Sequence, residues 1–204
     1  MLSIGCGDKI DVFPPGLEPI EQNRADFPPA SDGDRYPEML SFASGEGHDV
    51  AWAHSKGYIH APLSMVWSAF QEPVVVVDRR KVAEWTITDN VETGFDRSFL
   101  VHNIVHNVIT VSFDVTWRES ATVGTTEAPR TVAIRFQKTF GTVFIDILRG
   151  SVVLRQGDDP SVTEIEEIEQ IAAAQGGVDN IQSYLTDLYQ SVTARVHGQA
   201  LPTY

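Results

Sequence analysis

The stretch Gly57–Pro73, GYIHAPLSMVWSAFQEP, decides how the rest of the chain is read. Val50–His60 is an extended segment, and Ala61-Pro62 ends it. Proline has no N–H to give a sheet but suits the first position of a helix, where that N–H has no partner anyway. Val66, Trp67 and Phe70 fall on one side of that helix, and Pro73 stops it. Asp78–Ala83 is compatible with a second short helix, and Val74–Val77 before it with a strand instead.

After Ala83 the hydrophobic period changes to two, the mark of half-buried strands. Trp85, Ile87 and Val91 share a face, and Phe99–Val105 is a further strand. In Val108–Arg118, Ile109, Val111, Phe113, Val115 and Trp117 face one way, while Thr110, Ser112, Asp114 and Thr116 face the other. That pattern predicts one buried and one wet side. Val132, Ile134 and Phe136 alternate in the same manner. Gly141 turns the chain into Thr142–Arg155, where Gly150 is expected to mark a bulge. Ser161–Ala174 is ambiguous. Val162, Ile165, Ile168 and Ile171 recur every three residues, and Thr163 with Glu166 would form a capping box, so local pattern alone favours helix. The last segment is a helix: Asp179 is the expected cap, Gly198 the terminator, and Ile181, Leu185, Leu188, Val192 and Val196 form one stripe.

The order strand, two short helices, six strands, long helix resembles the START-related (SRPBCC) superfamily. This is the helix-grip fold of lipid-transfer domains, plant allergens and aromatic polyketide cyclases. Ile59-His60-Ala61-Pro62, Val66-Trp67-Ser68-Ala69-Phe70, Glu72-Pro73 and the helix Asn180–His197 carry the resemblance. It implies an α+β fold in which a curved antiparallel sheet of about seven strands wraps a long C-terminal helix. It also implies that Ser161–Ala174 is a strand, against the local reading. Finally it implies a cavity between sheet and helix that holds an apolar molecule away from water, with no cofactor.

Residues 1–49 stand outside this pattern. They hold six of the eleven prolines and carry ten acidic against three basic residues. Such a segment makes no core of its own, so the domains are divided into a Pro-rich acidic extension, 1–49, and a helix-grip domain, 50–204. Phe13, Leu17, Phe27, Tyr36, Met39 and Phe42 are spaced to anchor the extension on the domain. The whole chain has a net charge of −13, which repels phosphate backbones and speaks against a nucleic-acid partner. A single cysteine, Cys6, excludes an internal disulfide. No apolar run is long enough for a transmembrane segment. Leu2–Gly7 loosely matches the end of a bacterial lipoprotein signal without the regions that should precede it. A cytoplasmic location is favoured, with anchoring through Cys6 the alternative.

Among polar residues, His102 and His106 invite a metal reading. On a helix their spacing would bring them within about 5–6 Å, but on a strand it separates them by roughly 13 Å, and the pattern here is strand. If His106-Asn107 is a two-residue turn, His102 faces Val111 and points to the core side, where it could orient a ligand oxygen; a change of one residue in the loop reverses this. Glu164 and Glu166 share one strand face and Glu167 and Glu169 the other, most of them expected to be solvated because buried carboxylates are costly. No GxSxG, phosphate-binding loop or GxGxxG is present. The expected ligand-binding residues are Trp85, His102, Ile109, Phe113, Trp117, Phe136 and Leu188, with no metal and no assigned catalytic group. The function expected is binding or carriage of an apolar small molecule. The alternatives are a polyketide cyclase or dehydratase-like enzyme using a cavity acid or base, and a closed-core interaction domain.

Overall fold

The computed structural model describes residues 8–31, 33–106, 109–174 and 176–204. Along the chain these form β1 (Asp8–Ile10), β2 (Leu40–Gly47), β3 (Val50–Ile59), α1 (Leu63–Phe70), α2 (Pro73–Val76) and β4 (Glu84–Asp89). Then come β5 (Arg97–His106), β6 (Thr110–Gly124), β7 (Pro129–Thr142), β8 (Ile145–Gln156), β9 (Thr163–Ala173) and α3 (Val178–Val196). From β3 onward the order is strand, two short helices, six strands, long helix. The strands pair antiparallel, in the order β2-β3-β9-β8-β7-β6-β5-β4. This is the helix-grip architecture: a large antiparallel sheet whose inner face is covered by α3 at one end and by α1 and α2 beside it.

The two short helices follow from the prolines, though not quite as anticipated. Pro62 is the residue before α1 rather than its first member, and its carbonyl accepts from the N–H groups of Met65 and Val66. Pro73 ends one helix and occupies the first turn of the next, so α2 lies at Pro73–Val76 and not at Asp78–Ala83. A helix of eight residues is marginal alone; α1 is held by burying Leu63, Val66, Trp67, Ala69 and Phe70 against the sheet core. In α3 the stripe Ile181, Leu185, Leu188 and Val192 is fully buried. Gly177, not Asp179, is its N-cap, and Asp179 sits in the first turn, where its charge favours the positive helix end.

Ser161–Ala174 is strand β9, paired on both sides with β3 and β8. Tertiary pairing outweighs its three-residue recurrence, because both its neighbours need a partner for their backbone groups. Gly150 marks no bulge. It pairs in register with Phe136 and Glu169, and a Cβ there would lie 2.2 Å from the Phe136 ring. The glycine makes room for that ring on the inner face.

The sheet also has two strands from before residue 50. β2 pairs with β3 along its whole length, which carries the sheet ten residues into the segment assigned to the extension. β1 pairs with Phe140–Thr142 of β7, beyond Gln137, where the pairing of β7 with β8 stops. Between β1 and β2 the chain crosses the outer face of the sheet. The Phe13 ring lies 3.6 Å from the Arg118 guanidinium. Arg118 donates to the carbonyls of Pro14 and Phe13, and Arg135 to that of Glu18. Further along, buried His54 accepts from the Arg24 N–H at 2.8 Å and meets Glu21 at 3.0 Å, and Phe27 stacks on Tyr58. The face expected to be wet is therefore covered over part of its width. Cys6 lies outside the described residues.

Candidate functional site

The inner face is not filled. Beside α3, where β7 and β8 part, the sheet, α2 and the first turns of α3 enclose a cavity of about 590 Å³. That volume is roughly four times a cavity known to accept benzene and within the usual range for small-molecule sites. Its wall is built from alternate residues of successive strands: Val101, Asn103 and Val105 of β5; Val111, Phe113, Val115 and Trp117 of β6; Phe136 of β7; Leu148 of β8; Glu169 and Ile171 of β9. Val76, Val77 and Val82 form one side, Ile181 and Tyr184 of α3 another. His106, Ile109 and Ala174, all exposed, stand at the rim. Phe99, Trp117 and Phe136 stack in a row, the last two at 4.4 Å between centroids and both in the cavity wall.

Four of the seven residues expected to bind a ligand line this space: Ile109, Phe113, Trp117 and Phe136. Trp85 is on the same face, opposite Asn103, but on the edge strand, half-buried against the core and away from the wall. Leu188 belongs to the closed core about one turn down α3 from Tyr184, the last residue of that helix at the cavity. His102 is a correction. In the β5–β6 hairpin partner numbers sum to 216, as in His106 with Thr110, so three residues and not two separate the last pair. The odd difference turns His102 outward, where its Nδ1 lies 2.6 Å from Asp114 and its side chain is 39% exposed. Asn103 takes the inward place instead. Its amide donates to the Val101 and Phe113 carbonyls at 3.0 and 3.4 Å. The Asn107 half of the expected turn lies outside the described residues.

The glutamates of β9 are the second correction. Glu164 and Glu166 face outward and are half-buried, but Glu167 and Glu169 are buried on the inner face. Glu167 accepts a 2.5 Å hydrogen bond from the Ser55 hydroxyl beneath α3. Burial pushes its pKa up to about 8. Glu169 is 5% exposed and lines the cavity, and among the described residues its Oε2 has no hydrogen-bond partner. Burial, then the charges of Asp78 and Glu167, hold its pKa well above the ordinary carboxylate range. A third buried carboxyl, Glu119, accepts from the Trp67 indole at 2.7 Å at the closed end of the core, and burial raises it to about 7. The strict alternation of β9 already placed Glu167 and Glu169 on one face; what the pattern did not say is which face α3 covers.

The other polar groups at the cavity are engaged. Tyr184 donates its hydroxyl to the Val76 carbonyl at 2.9 Å, tying α3 to α2. Arg80 forms a fork with Asp78 at 2.9 and 3.0 Å and contacts Asp187. Lys81 donates to Asn180 at 2.6 Å. Among the described residues no helix is long and apolar enough to cross a membrane.

No protein-family model matches the chain, and no curated protein matches it in sequence. The likeness is structural. The lipid transfer and protein localization domain of human StarD13 (DLC2) is similar at a TM-score of 0.55 and 10% identity, over 89% of this chain and 91% of that one. Human StAR-related lipid transfer protein 5 is similar at 0.50 and 9% identity, over 80% and 83%. The chain thus has the helix-grip fold of these two domains, the fold its sequence predicts.

Proposed function

We propose that this chain binds and carries an apolar small molecule in the cavity between β5–β9 and α3. The observation that supports this reading is the cavity itself. About 590 Å³ is left open in an interior whose walls are mostly valine, isoleucine, phenylalanine and other apolar side chains. Interiors ordinarily close-pack, so a void of this size forgoes contacts that a ligand would restore. At roughly 25 cal/mol per Å² of apolar ligand surface removed from water, burial alone supplies the affinity. The lipid-transfer names of the two similar human domains fit the reading. An acid–base enzyme is less well supported: among the described residues no titratable side chain is hydrogen-bonded to Glu169. A closed-core interaction domain would not leave the volume.

The test is saturable binding of an anilinonaphthalene dye, followed by fluorescence. Binding should persist in high salt, which screens charge contacts but leaves apolar burial intact. Val115→Trp, from the middle of the wall, should weaken binding more than it lowers the melting temperature. If no apolar probe saturates the native protein, the carrier reading fails.

A further inference from the structure

Among the polar groups of this largely apolar cavity, one carboxyl oxygen is left without a hydrogen-bond partner among the described residues. Glu169 is nine-tenths buried, it lines the cavity, and its Oε2 has no hydrogen-bond partner among the described residues. The neighbouring groups that could answer it are already engaged. The Asn103 amide is bonded to two main-chain carbonyls, the Tyr184 hydroxyl to Val76, Arg80 to Asp78 and Asp187, and Lys81 to Asn180. A buried polar atom left without a partner costs on the order of 1–3 kcal/mol. Glu119 and Glu167 each have such an oxygen too, but only that of Glu169 faces the cavity, where a ligand can supply the partner.

We propose, building on the carrier reading, that the ligand is an apolar molecule bearing one neutral oxygen, an alcohol or a ketone, and that Glu169 is the residue that selects it. The chemistry of the three possible headgroups decides between them. Burial favours the proton-carrying form of this carboxyl, which has one O–H donor and spare acceptor capacity. A hydroxyl answers both, and a ketone answers the donor. A ligand carboxylate would have to give up its hydration in an apolar space beside the acid Asp78, while the cations of the wall, Arg80 and Lys81, are held by others. An ammonium would require two charges to be taken out of water in an apolar space, where desolvation offsets the attraction. The neutral oxygen requires none.

The test is a cycle of two ligands and two proteins, which cancels the ligands' different affinities for water. Decane and 1-decanol are titrated against the native protein and Glu169→Leu by displacement of the anilinonaphthalene dye, with decanoate and decylamine alongside. The native protein's preference for decanol over decane should exceed that of Glu169→Leu by about tenfold, the worth of one hydrogen bond to a buried group. Glu169→Gln, which keeps a donor and an acceptor, should retain most of that preference. Its complete loss in a folded Glu169→Gln protein would overturn the neutral hydrogen bond. Equal preference in the native and Glu169→Leu proteins overturns the proposal and leaves the carrier reading standing. A larger change between those two proteins for decylamine than for decanol overturns it in favour of a cationic ligand. Binding of the dye with displacement by neither decane nor decanol overturns the proposal alone, and failure of the dye, decane and decanol alike to bind the native protein removes the carrier reading itself.

Discussion

Substituting Glu167 by glutamine should flatten the dependence of stability on pH. In the native chain Glu167 is wholly buried, with the Ser55 hydroxyl to support a charge, and keeps its proton to about pH 8 against an ordinary 4.5. The unfolded chain releases that proton near 4.5. Between the two values the folded state therefore binds more protons, and stability must fall as pH rises. The contribution is fully present below the unfolded value and is lost through the folded one. At 1.36 kcal/mol per unit, raising the pH from 5 to 7.5 removes about 3 kcal/mol through this one group. Glu119, raised to about 7 by burial, and Glu169 act in the same direction. The glutamine side chain of the Glu167→Gln protein has no proton to lose, and its carbonyl oxygen can still accept from Ser55. For a chain of this length about 3 kcal/mol corresponds to roughly 6–12 °C of melting temperature. Thermal melts of both proteins at pH 5 and pH 7.5, followed by circular dichroism, give the comparison. The native protein should lose that much more than the variant between the two pH values. The other groups facing Glu167, namely Glu169, Tyr184 and Tyr189, are common to both proteins. Parallel pH curves for the two would refute the buried, neutral carboxyl.

Two further outcomes follow from the packing. Leu188→Asp places a charge at a position 1% exposed in the core, costs several kcal/mol, and should abolish cooperative unfolding; a folded variant with an unchanged melting temperature would contradict the placement of that stripe. Removing residues 1–39 deprives Arg118, Arg135 and His54 of partners on the outer face. At roughly 1 kcal/mol each the melting temperature should fall by about 6–12 °C with unfolding still cooperative, and calorimetry showing no change would mean that the segment is not bound in solution.

The strands were legible because each carries its own alternation: Ile109 to Trp117 and Val132 to Phe136 needed no knowledge of their neighbours to reveal a buried side. What joins strands was less legible. Whether His102 or Asn103 enters the cavity depends on the length of one turn, and period-two patterns are indifferent to that length. The same holds for coverage. Arg118, Arg135 and Gln137 read as a wet face because they are polar, and the segment that covers them lies more than a hundred residues earlier in the chain. Glu167 and Glu169 failed the expectation of solvated carboxylates for a related reason. The cost of burying an acid is real, but a proton can meet it, and proton occupancy leaves no mark in a pattern of residues.

From Val12 to Glu18 the crossing segment on the outer face is held through hydrogen bonds to its main chain. Arg118 reaches the carbonyls of Phe13 and Pro14, Arg135 that of Glu18, and Gln137 that of Val12. Every residue type offers the same carbonyl, so over this stretch the hydrogen-bonding information resides in the sheet and not in the segment it holds. Under neutral drift the two should diverge at different speeds. Val12, Pro14 and Glu18 are free to change their side chains as long as the path is kept, while Arg118, Arg135 and Gln137, each specifying a donor at a set reach, are the positions that an alignment of descendants would find slow to change.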